Sequence, residues 1–220
     1  MDMKNGYAAF FDLDGTLLSV NSGEVLVHMA YKNGHMKKKD LLQAFYLAFL
    51  YKFQLRETSK IIRRMPKWLS GLSENEIITF TNTIFEEILV HAIRPQIKDA
   101  IEQHRQQNAR LVILSAAFNY ICTPVADCLK MDDILCSRLE VVDGQFTGKT
   151  IGDLCFDEVK LIRVKAFCED NGFNLEDAWY YADTVADIPV LNAVGSPVCI
   201  NPDKKLAKHA VKNKWLVYNW

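Results

Sequence analysis

The chain has 220 residues, of which 50% are hydrophobic, so it can form one large domain or a domain core that carries an insertion. Its 26 lysine and arginine residues nearly balance its 27 aspartate and glutamate residues, and the formal net charge is -1. Nucleic-acid binding requires a clustered basic excess, which this composition lacks, so we expect no nucleic-acid partner.

The first predicted element is a buried strand over residues 7–11, and it leads into the octet FFDLDGTL at residues 10–17. The octet carries two acids, Asp12 and Asp14, one residue apart. Two close carboxylates are costly unless a positive charge lies between them. A hard divalent cation such as Mg2+ meets this need, because it takes oxygen ligands and also binds phosphates. The octet therefore predicts phosphoryl chemistry at the end of the first strand.

Four residues of the octet have a role in that chemistry. Asp12 can attack phosphorus to form an aspartyl-phosphate, and Asp14 can protonate the leaving oxygen and later accept a proton from water. Gly15 lets backbone N–H groups approach phosphate oxygens, and Thr16 adds a hydroxyl. Two alternatives are a surface turn and a calcium loop, although Leu17 stands where such a loop continues with oxygen ligands.

The next stretch of the chain is predicted to be helical throughout. Ser73 and Glu76 have the spacing of a capping box, in which the serine side chain caps a helix that starts after it. We interpret residues 21–94 as an inserted helical cap, and residues 1–20 and 95–220 as the core that it covers. The predicted cap helices span residues 23–31, 39–53, 57–69 and 74–91.

Residues 41–55 are apolar on most sides of the predicted helix, and we interpret them as a buried cap helix. The segment is too short to span a membrane. The alternative is an apolar lid that rests on a membrane surface or holds an acyl chain. In that case the lysines at residues 37–39 would lie next to anionic headgroups.

Further apolar runs predict strands at residues 111–114, 178–182 and 197–200, with a last short strand at 215–218. Helices are predicted between them, at residues 96–107 and 159–171. This alternation indicates an α/β fold, a Rossmann-like and mainly parallel sheet. A small β-hairpin insertion is predicted over residues 139–147, because Asp143-Gly144 is typical of a two-residue hairpin turn.

Polar residues end three of these strands: Asp12, Ser115 and Asp183. Ligands of parallel sheets bind at the carboxyl ends of the strands, so we expect the three side chains at one edge. Ser115 can donate to a phosphate oxygen with the N–H of Ala116 nearby, or it can cap the helix that follows.

The remaining candidates come later in the chain. Lys160 lies at the start of a predicted helix, where the helix dipole disfavours a positive charge. This unfavourable position suggests another role for the lysine, as a positive charge beside the phosphate and the nucleophile. Lys165 is the competing lysine, and a plain surface lysine is the alternative. Asp183 is predicted to bind the cation directly, with Asp187 as a ligand through water or as a supporting acid. The alternative for Asp187 is a helix N-cap, because Pro189 suits an early helical position.

The six cysteines form no Cys-x-x-Cys pair, and we interpret them as reduced thiols. The apolar start of the chain is short and contains two acids, so we expect no signal peptide. No uncharged apolar segment reaches the length of a membrane span. These observations predict a cytoplasmic protein.

Taken in order, the motifs resemble the haloacid dehalogenase superfamily of phosphohydrolases. The helical insertion resembles the cap of its phosphoserine-phosphatase-like branch, subfamily IB, and the likeness covers nearly the whole chain. The matching motifs are Asp12-x-Asp14-Gly15-Thr16, Ser115, Lys160 and Asp183-x-x-x-Asp187.

This resemblance implies roles for the matching residues. Asp12 is the nucleophile and a Mg2+ ligand, and Asp14 is the acid/base whose backbone carbonyl also binds the metal. Asp183 completes the protein ligands with support from Asp187. Phosphate is held by Ser115 and by Lys160, which also offsets the charge of the nucleophile.

Two departures argue against phosphoserine as the substrate. Phosphoserine phosphatases grip the substrate amino group with an acid shortly after the first motif, where this chain has Asn21, with Glu24 one helical turn later. The second motif is Ser-Ala-Ala instead of the usual Ser-Gly-Gly. We therefore expect a Mg2+-dependent phosphatase of another small metabolite. The alternatives are a phosphatase of a lipid phosphate, such as phosphatidylglycerol phosphate, at the membrane surface, and a non-catalytic phosphate-binding module. The oligomeric state is open.

Overall fold

The computed structural model of the chain describes residues 6–52 and 64–220. Its centre is a six-stranded sheet in the order β3-β2-β1-β6-β7-β8, and every neighbouring pair is parallel. The strands β4 and β5, which follow β3 along the chain, form a separate two-stranded antiparallel sheet. The strands are β1 Ala8–Phe11, β2 Arg110–Phe118, β3 Asp133–Ser137, β4 Leu139–Val142, β5 Gln145–Thr150, β6 Trp179–Ala182, β7 Ser196–Ile200 and β8 Leu216–Tyr218.

Helices separate the strands, and three short 3-10 turns occur among the described residues. After the helix Glu74–Ile84 the chain continues through a π-helical turn, Phe85–Leu89, and a last turn, Val90–Ala92. The 3-10 turns are Met65–Leu69, Leu175–Asp177 and Val185–Asp187. The helices are α1 Ser22–Lys32, α2 Lys38–Lys52, α3 Glu74–Ile84, α4 Pro95–Gln106, α5 Asn119–Leu129, α6 Glu158–Asn171, α7 Ile188–Leu191 and α8 Lys204–Asn213.

The central strand β1 is buried on both faces. Ala9 and Phe11 point into one hydrophobic cluster, and Ala8 and Phe10 point into the other. Side chains of a strand alternate between the two faces of its sheet, so a strand covered on both sides must be apolar at every position. The predicted α/β class, the mainly parallel sheet and the small hairpin are confirmed.

Strand β3 was not predicted. It runs from Asp133 to Ser137 beside β2, at an edge of the sheet. Its first residues are only half-buried, and an acid opens it, so its sequence lacks the continuous apolar run of a central strand.

The hairpin is longer than predicted, because β5 continues to Thr150, and it pairs with the chain before α3. Gly71 N–H donates to the Phe146 carbonyl at 2.8 Å, and Phe146 N–H donates to the Leu72 carbonyl at 3.0 Å. Glu74 N–H donates to the Gly144 carbonyl at 2.9 Å. These backbone bonds join the helical region to the hairpin, as a further strand would.

The capping box predicted at Ser73 is wrong. Ser73 holds the N-cap position of α3, but its side chain makes no capping hydrogen bond. Instead, its backbone forms an isolated bridge with Gln145 of the hairpin. Pairing with the hairpin therefore sets the backbone at the start of α3.

Helix α2 differs from its predicted burial. Leu41 packs against the main core, and Leu47 is buried, but Leu42, Phe45 and Tyr46 are exposed. The interpretation as a buried cap helix is wrong for these three exposed side chains, whereas Leu41 and Leu47 agree with it.

The predicted helix at residues 57–69 lies largely outside the described residues, and its described end is the 3-10 turn Met65–Leu69. The division into a core and a cap of residues 21–94 stays a prediction. Within the described residues, no helix is long and apolar enough to cross a membrane.

Candidate active site

The turn after β1 places both acids of the octet at the carboxyl edge of the sheet. Asp12 N–H donates to the Tyr181 carbonyl at 2.9 Å and so extends the pairing of β1 with β6. Leu17 N–H then donates back to the Asp12 carbonyl at 3.3 Å, which closes the turn. Gly15 adopts a φ of +74° there, a region that side chains disfavour. An added Cβ at Gly15 would lie 2.1 Å from Asp183 Oδ2, so this position also needs glycine for space.

Lys160, on the first turn of α6, reaches the end of β1. Its Nζ donates to Asp12 Oδ1 and to Asp187 Oδ1, both at 2.7 Å, and its side chain is buried. Lys165 is exposed, so the competing lysine is not at this site. A lysine between two carboxylates compensates much of the cost of burying all three charges.

Asp187 is held from three sides. Besides Lys160, Tyr180 OH donates to its Oδ1 at 2.5 Å, and Thr184 Oγ1 donates to its Oδ2 at 2.9 Å. It occupies the N-cap position of the short helix α7, but its side chain makes no capping bond there. Its carboxylate thus orients the lysine, and the N-cap interpretation of its side chain is wrong.

Asp14 points toward the helical region. Its Oδ1 accepts a hydrogen bond from the Ser22 N–H at 2.8 Å, at the first residue of α1. A carboxylate at a helix N-terminus satisfies one of the unpaired N–H groups and interacts well with the helix dipole. The second acid of the octet is therefore linked to the first helix of the predicted cap.

Asp183 follows β6 and faces the same space. Its Oδ1 is buried and has no hydrogen-bond partner among the described residues. The loop that carries it is fixed by Asp203, whose N–H donates to the Asp183 carbonyl at 2.9 Å and whose Oδ2 accepts from Val185 N–H at 2.9 Å. A buried carboxylate oxygen without a partner is rare in proteins, and here it indicates room for a ligand.

The two hydroxyls of the predicted phosphate site are both buried. Ser115 lies in β2 two residues beyond Ile113, which pairs with Phe11, so it is next to the Asp12 turn. Its Oγ accepts from the Ala117 N–H at 3.1 Å, so its own proton is free to point toward a substrate. Thr16 Oγ1 has no partner within the described part of the chain.

The predicted end of strand β2 at Ser115 is wrong. The strand continues to Phe118 after a shift of register, and Ala116 lies in this irregular stretch and is half-buried. The N-cap position of α5 is held by Phe118. Capping is therefore not the task of Ser115.

Burial raises the pKa of the acids at this edge. The pKa of Asp12 rises to about 7, because desolvation outweighs the nearby Lys160 charge, and that of Asp183 rises to about 8 for the same main cause. Burial also raises the pKa of Asp14, despite its hydrogen bonds from Ser22. Each shift means that a further positive charge would favour the ionised carboxylates.

The residues present fit a divalent cation. One carboxylate oxygen each of Asp12, Asp183 and Asp187 lies within 4.8 Å of the others. Oxygen donors with an unpartnered buried carboxylate among them suit a hard ion such as Mg2+. The Asp14 side chain is not in this group, and the resemblance assigns it only a backbone carbonyl ligand.

Three contributors were not predicted from the sequence: Tyr180, Thr184 and Asp203. Tyr180 lies inside an apolar strand, where its ring is expected to be a core residue. The only sign of a role in the site is that a buried tyrosine hydroxyl needs a hydrogen-bond partner. Thr184 lies between two predicted acids and looks like part of a loop. Asp203 precedes α8 as an ordinary N-cap, whose side chain accepts from Lys205 and Leu206 N–H groups.

Residues 9–192 match the family model of the haloacid dehalogenase-like hydrolases. The chain is 27% identical over 225 residues to a histidinol-phosphatase of Neisseria meningitidis, covering 99% of this chain and 100% of that protein. It is 29% identical over 217 residues to a phosphoserine phosphatase of Mycobacterium tuberculosis, covering 94% and 69%. The fold is similar to that of a Bordetella pertussis protein of unknown function, with a TM-score of 0.89 and 23% identity over 97% and 98% of the two chains.

Proposed function

Because this chain belongs to the haloacid dehalogenase-like hydrolases and is a phosphatase, we propose that it hydrolyses a small phosphomonoester through an aspartyl-phosphate on Asp12 with Mg2+. The observation that carries this proposal is the ion pair of Asp12 with the buried Lys160, at 2.7 Å. This ion pair supports the proposal because it fixes one oxygen of Asp12 beside the carboxylates of Asp183 and Asp187 at the end of the strand.

The first step is attack by Asp12 on phosphorus. Lys160 holds Oδ1, which leaves Oδ2 to form the new P–O bond. The P–O bond to the leaving group breaks, and Asp14 gives its proton to the departing oxygen. The raised pKa of Asp14, which burial causes, suits an acid that must hold a proton before this step.

The second step releases phosphate. Asp14, now ionised, accepts a proton from a water molecule as the water oxygen bonds to phosphorus. The bond between phosphorus and Asp12 breaks, and the carboxylate returns to its pairing with Lys160. The products are the alcohol and inorganic phosphate, and the enzyme ends in its starting protonation state.

Asp12, Asp183 and the backbone carbonyl of Asp14 would hold Mg2+, with Asp187 in support. When bound, the ion supplies positive charge that neutralises the phosphate and the buried acids. Phosphate oxygens would be held by Ser115 Oγ, Thr16 Oγ1, Lys160 and the N–H groups of Gly15 and Ala116. Preorganised donors of this kind act most strongly in a buried site.

Residues 21–94 would form a cap that covers the site and excludes water. Asp14 supports this idea, because its contact with Ser22 N–H links the acid/base to the first cap helix. We place the enzyme in the cytoplasm, where its six free cysteines would stay reduced.

A small phosphorylated metabolite is the substrate class that we propose, as the names of two relatives support. Asn21 Oδ1 accepts from Glu24 N–H at 2.9 Å, so the side chain at the position of the usual acid serves as a helix cap. This pairing argues against phosphoserine. A lipid phosphate is the second candidate, because α2 exposes apolar side chains beside lysines.

The mechanism is tested by hydrolysis of p-nitrophenyl phosphate with and without Mg2+. We expect Asp12→Asn to reduce activity to background, because an amide cannot act as the nucleophile. Asp14→Asn should lower kcat by about 10²- to 10⁴-fold, as for loss of a general acid. Mass spectrometry of acid-quenched enzyme should find a phosphoryl group on Asp12. Full activity of Asp12→Asn, or equal activity after chelation of Mg2+, would contradict the mechanism.

The substrate class needs a separate panel. Histidinol phosphate, phosphoserine, sugar phosphates, phosphocholine and phosphatidylglycerol phosphate would be compared by kcat/KM with release of inorganic phosphate. The highest value for a small phosphomonoester other than phosphoserine is expected. The highest value for the lipid would favour the second candidate. A wild-type chain that binds phosphate but turns over no substrate would be the non-catalytic module.

A further inference from the structure

Helix α2 presents an apolar face to solvent. The side chains of Leu42, Phe45 and Tyr46 are 61%, 64% and 54% exposed. Residues at i, i+3 and i+4 lie on the same face of a helix, so the three side chains form one stripe. Three adjoining large apolar side chains, two of them aromatic, are unusual on a surface that contacts only water, and such patches mark interaction sites.

The contacts of the opposite face of α2 are enough to hold the helix against the rest of the protein. Leu41 packs against the main hydrophobic core, and Leu47 is buried against Met65. Met36, just before the helix, is buried as well. Because these contacts fix α2 in place, the outward stripe is not needed to hold it. Its apolar character therefore requires another explanation.

A basic cluster adjoins the stripe. Lys37, Lys38 and Lys39 are all exposed at the start of α2. Lys38 and Lys39 precede Leu42 by four and three residues, so helical geometry places them on the same face as the stripe. Asp40 is the only acid among the described side chains of α2, and it is half-buried on the side of Ala44.

We propose that this α2 face, defined as Lys37–Lys39 with Leu42, Phe45 and Tyr46, docks on an anionic membrane surface. The apolar stripe would enter the boundary between headgroups and acyl chains, and the lysines would pair with lipid phosphates and carboxylates. Exposed apolar and aromatic side chains that enter this boundary, with lysines beside them on anionic headgroups, attach peripheral proteins to membranes. Docking of this kind is reversible, and it is independent of which phosphomonoester the enzyme hydrolyses.

A lipid surface fits better than a second copy of the chain. Lysines buried between two copies need acids opposite them, and the α2 face carries none. An anionic bilayer offers both an apolar interior for the stripe and negative charge for the lysines.

Sedimentation with vesicles tests this proposal on the full chain. Wild-type protein would be spun with vesicles of phosphatidylcholine alone and with vesicles that also contain phosphatidylglycerol. We expect binding only to the anionic vesicles, and weaker binding at high salt because salt screens exposed charges. Reversing the three lysines (Lys37→Glu, Lys38→Glu, Lys39→Glu) should weaken binding on the order of a hundredfold. Phe45→Asp should weaken it by about tenfold or more.

Matched variants on α8 control for charge and exposure. Lys205→Glu, Lys208→Glu and Lys212→Glu together change the net charge equally, and Val211→Asp alters a side chain that is 77% exposed. Both should leave vesicle binding unchanged, and thermal unfolding checks that each variant is folded. No wild-type binding to anionic vesicles, or equal loss in the α8 variants, would overturn the proposal. A dimer in sedimentation velocity that Phe45→Asp dissociates, without vesicle binding, would assign the face to a second copy.

Discussion

Lys160 balances the charge of the buried site. Its Nζ contacts Asp12 and Asp187 at 2.7 Å each, and Tyr180 OH lies 3.1 Å away. The two carboxylates raise the pKa of the lysine, although burial acts against them, so it stays charged. The same charge holds the pKa of Asp12 lower than burial alone would set it.

Replacing Lys160 by methionine keeps the side-chain length and removes the charge. We expect kcat/KM for p-nitrophenyl phosphate to fall on the order of 10²- to 10³-fold, as for other preorganised donors. Without the cation the pKa of Asp12 rises further, so the remaining activity should increase toward higher pH than in the wild type. Lys165→Met is the control, because Lys165 is exposed on the same helix. Equal activity of the two variants would refute this role for Lys160.

Gly15 combines two requirements in one position. Its φ of +74° favours glycine, and its missing side chain leaves the space that Asp183 Oδ2 occupies. Gly34 has a similar φ of +78°, but an added Cβ there would meet nothing within 4 Å. The two glycines therefore separate the cost of backbone strain from the cost of the collision.

We expect Gly15→Ala to displace the Asp183 carboxylate and to weaken activation by Mg2+ by about 10- to 100-fold. Gly34→Ala should carry a similar backbone strain, of about 1 kcal/mol, and keep the wild-type dependence on Mg2+. Phosphate release measured over a range of Mg2+ concentrations distinguishes the variants. The same Mg2+ dependence in both would mean that the collision does not affect the metal site.

For single residues, the sequence predicts well which charged side chains lie at strand ends, but it predicts their hydrogen-bond partners poorly. Asp12 and Asp183 follow apolar runs, so parallel-sheet geometry alone brings them to one edge. The sequence favoured Lys160 over Lys165 only through the helix dipole, because which side of α6 faces β1 cannot be read from the sequence. Tyr180 could not be found, since a tyrosine in an apolar strand has the pattern of a core residue.

Among the elements, the hairpin joins the helical region to the parallel sheet. Three backbone hydrogen bonds connect residues 71–74 with residues 144–146. One side-chain contact adds to them, in which Tyr120 of α5 donates to Glu74 Oε1 at 2.5 Å. The ring of Tyr120 also packs edge-on against Phe146, with 5.2 Å between the ring centres.

The contact between Tyr120 and Glu74 is suited to a double-mutant cycle. We expect Tyr120→Phe and Glu74→Gln each to lower the free energy of unfolding, with a coupling energy of about 1–2 kcal/mol, because a hydrogen bond to a carboxylate exceeds a neutral one. Urea unfolding of the two single variants and the double variant measures it. Tyr46→Phe, at an exposed tyrosine, should change stability little. A coupling energy near zero would show that this hydrogen bond does not help to hold the helical region in place.

Strands that are covered on both faces were predicted from their apolar runs, whereas the half-buried edge strand β3 and the exposed side of α2 were not. The apolar runs of β1, β6 and β7 appear in the sequence because both faces of these strands are covered. Strand β3 at the sheet edge lacks such a run. Helix α2 is apolar on both its inner and outer sides, so its sequence cannot tell the core-facing side from the exposed one.

At the scale of the whole molecule, a buried histidine packs between α4 and the strands β1 and β6. His104 of α4 lies between two tyrosines, with Nδ1 2.7 Å from Tyr7 OH and Nε2 2.9 Å from Tyr181 OH. Tyr7 OH donates to Gln107 Oε1 at 2.8 Å, so its oxygen accepts from Nδ1–H and leaves Nε2 to accept from Tyr181. The ring is thus neutral, and burial lowers its pKa to about 4.

This histidine should make stability depend on pH. Its pKa is about 6.5 in the unfolded chain, so as pH falls the unfolded state takes up a proton before the folded state does. The stabilisation is complete above about pH 6.5 and is lost as pH falls toward 4. Between about pH 8 and about pH 5, the wild type should lose on the order of 2 kcal/mol more than His104→Gln in urea unfolding.

The exposed His28 provides the control, because His28→Gln should lose as much stability as the wild type over the same range. If His104→Gln and the wild type lose equal amounts, the ring is protonated in the folded state and the hydrogen-bond assignment is wrong.

The central place of β1 also determines when the enzyme can first exist during its synthesis. The neighbours of β1 are β2 and β6, and the lysine that pairs with Asp12 lies 148 residues further along the chain. A nascent chain therefore carries Asp12, the proposed nucleophile, from the start, but it lacks Lys160 until α6 has left the ribosome and Asp183 until β6 has left it as well. We expect translation that stops before Asp183 to yield no partial phosphatase, because the acids and the lysine of the proposed site meet only when the sheet closes around its first strand.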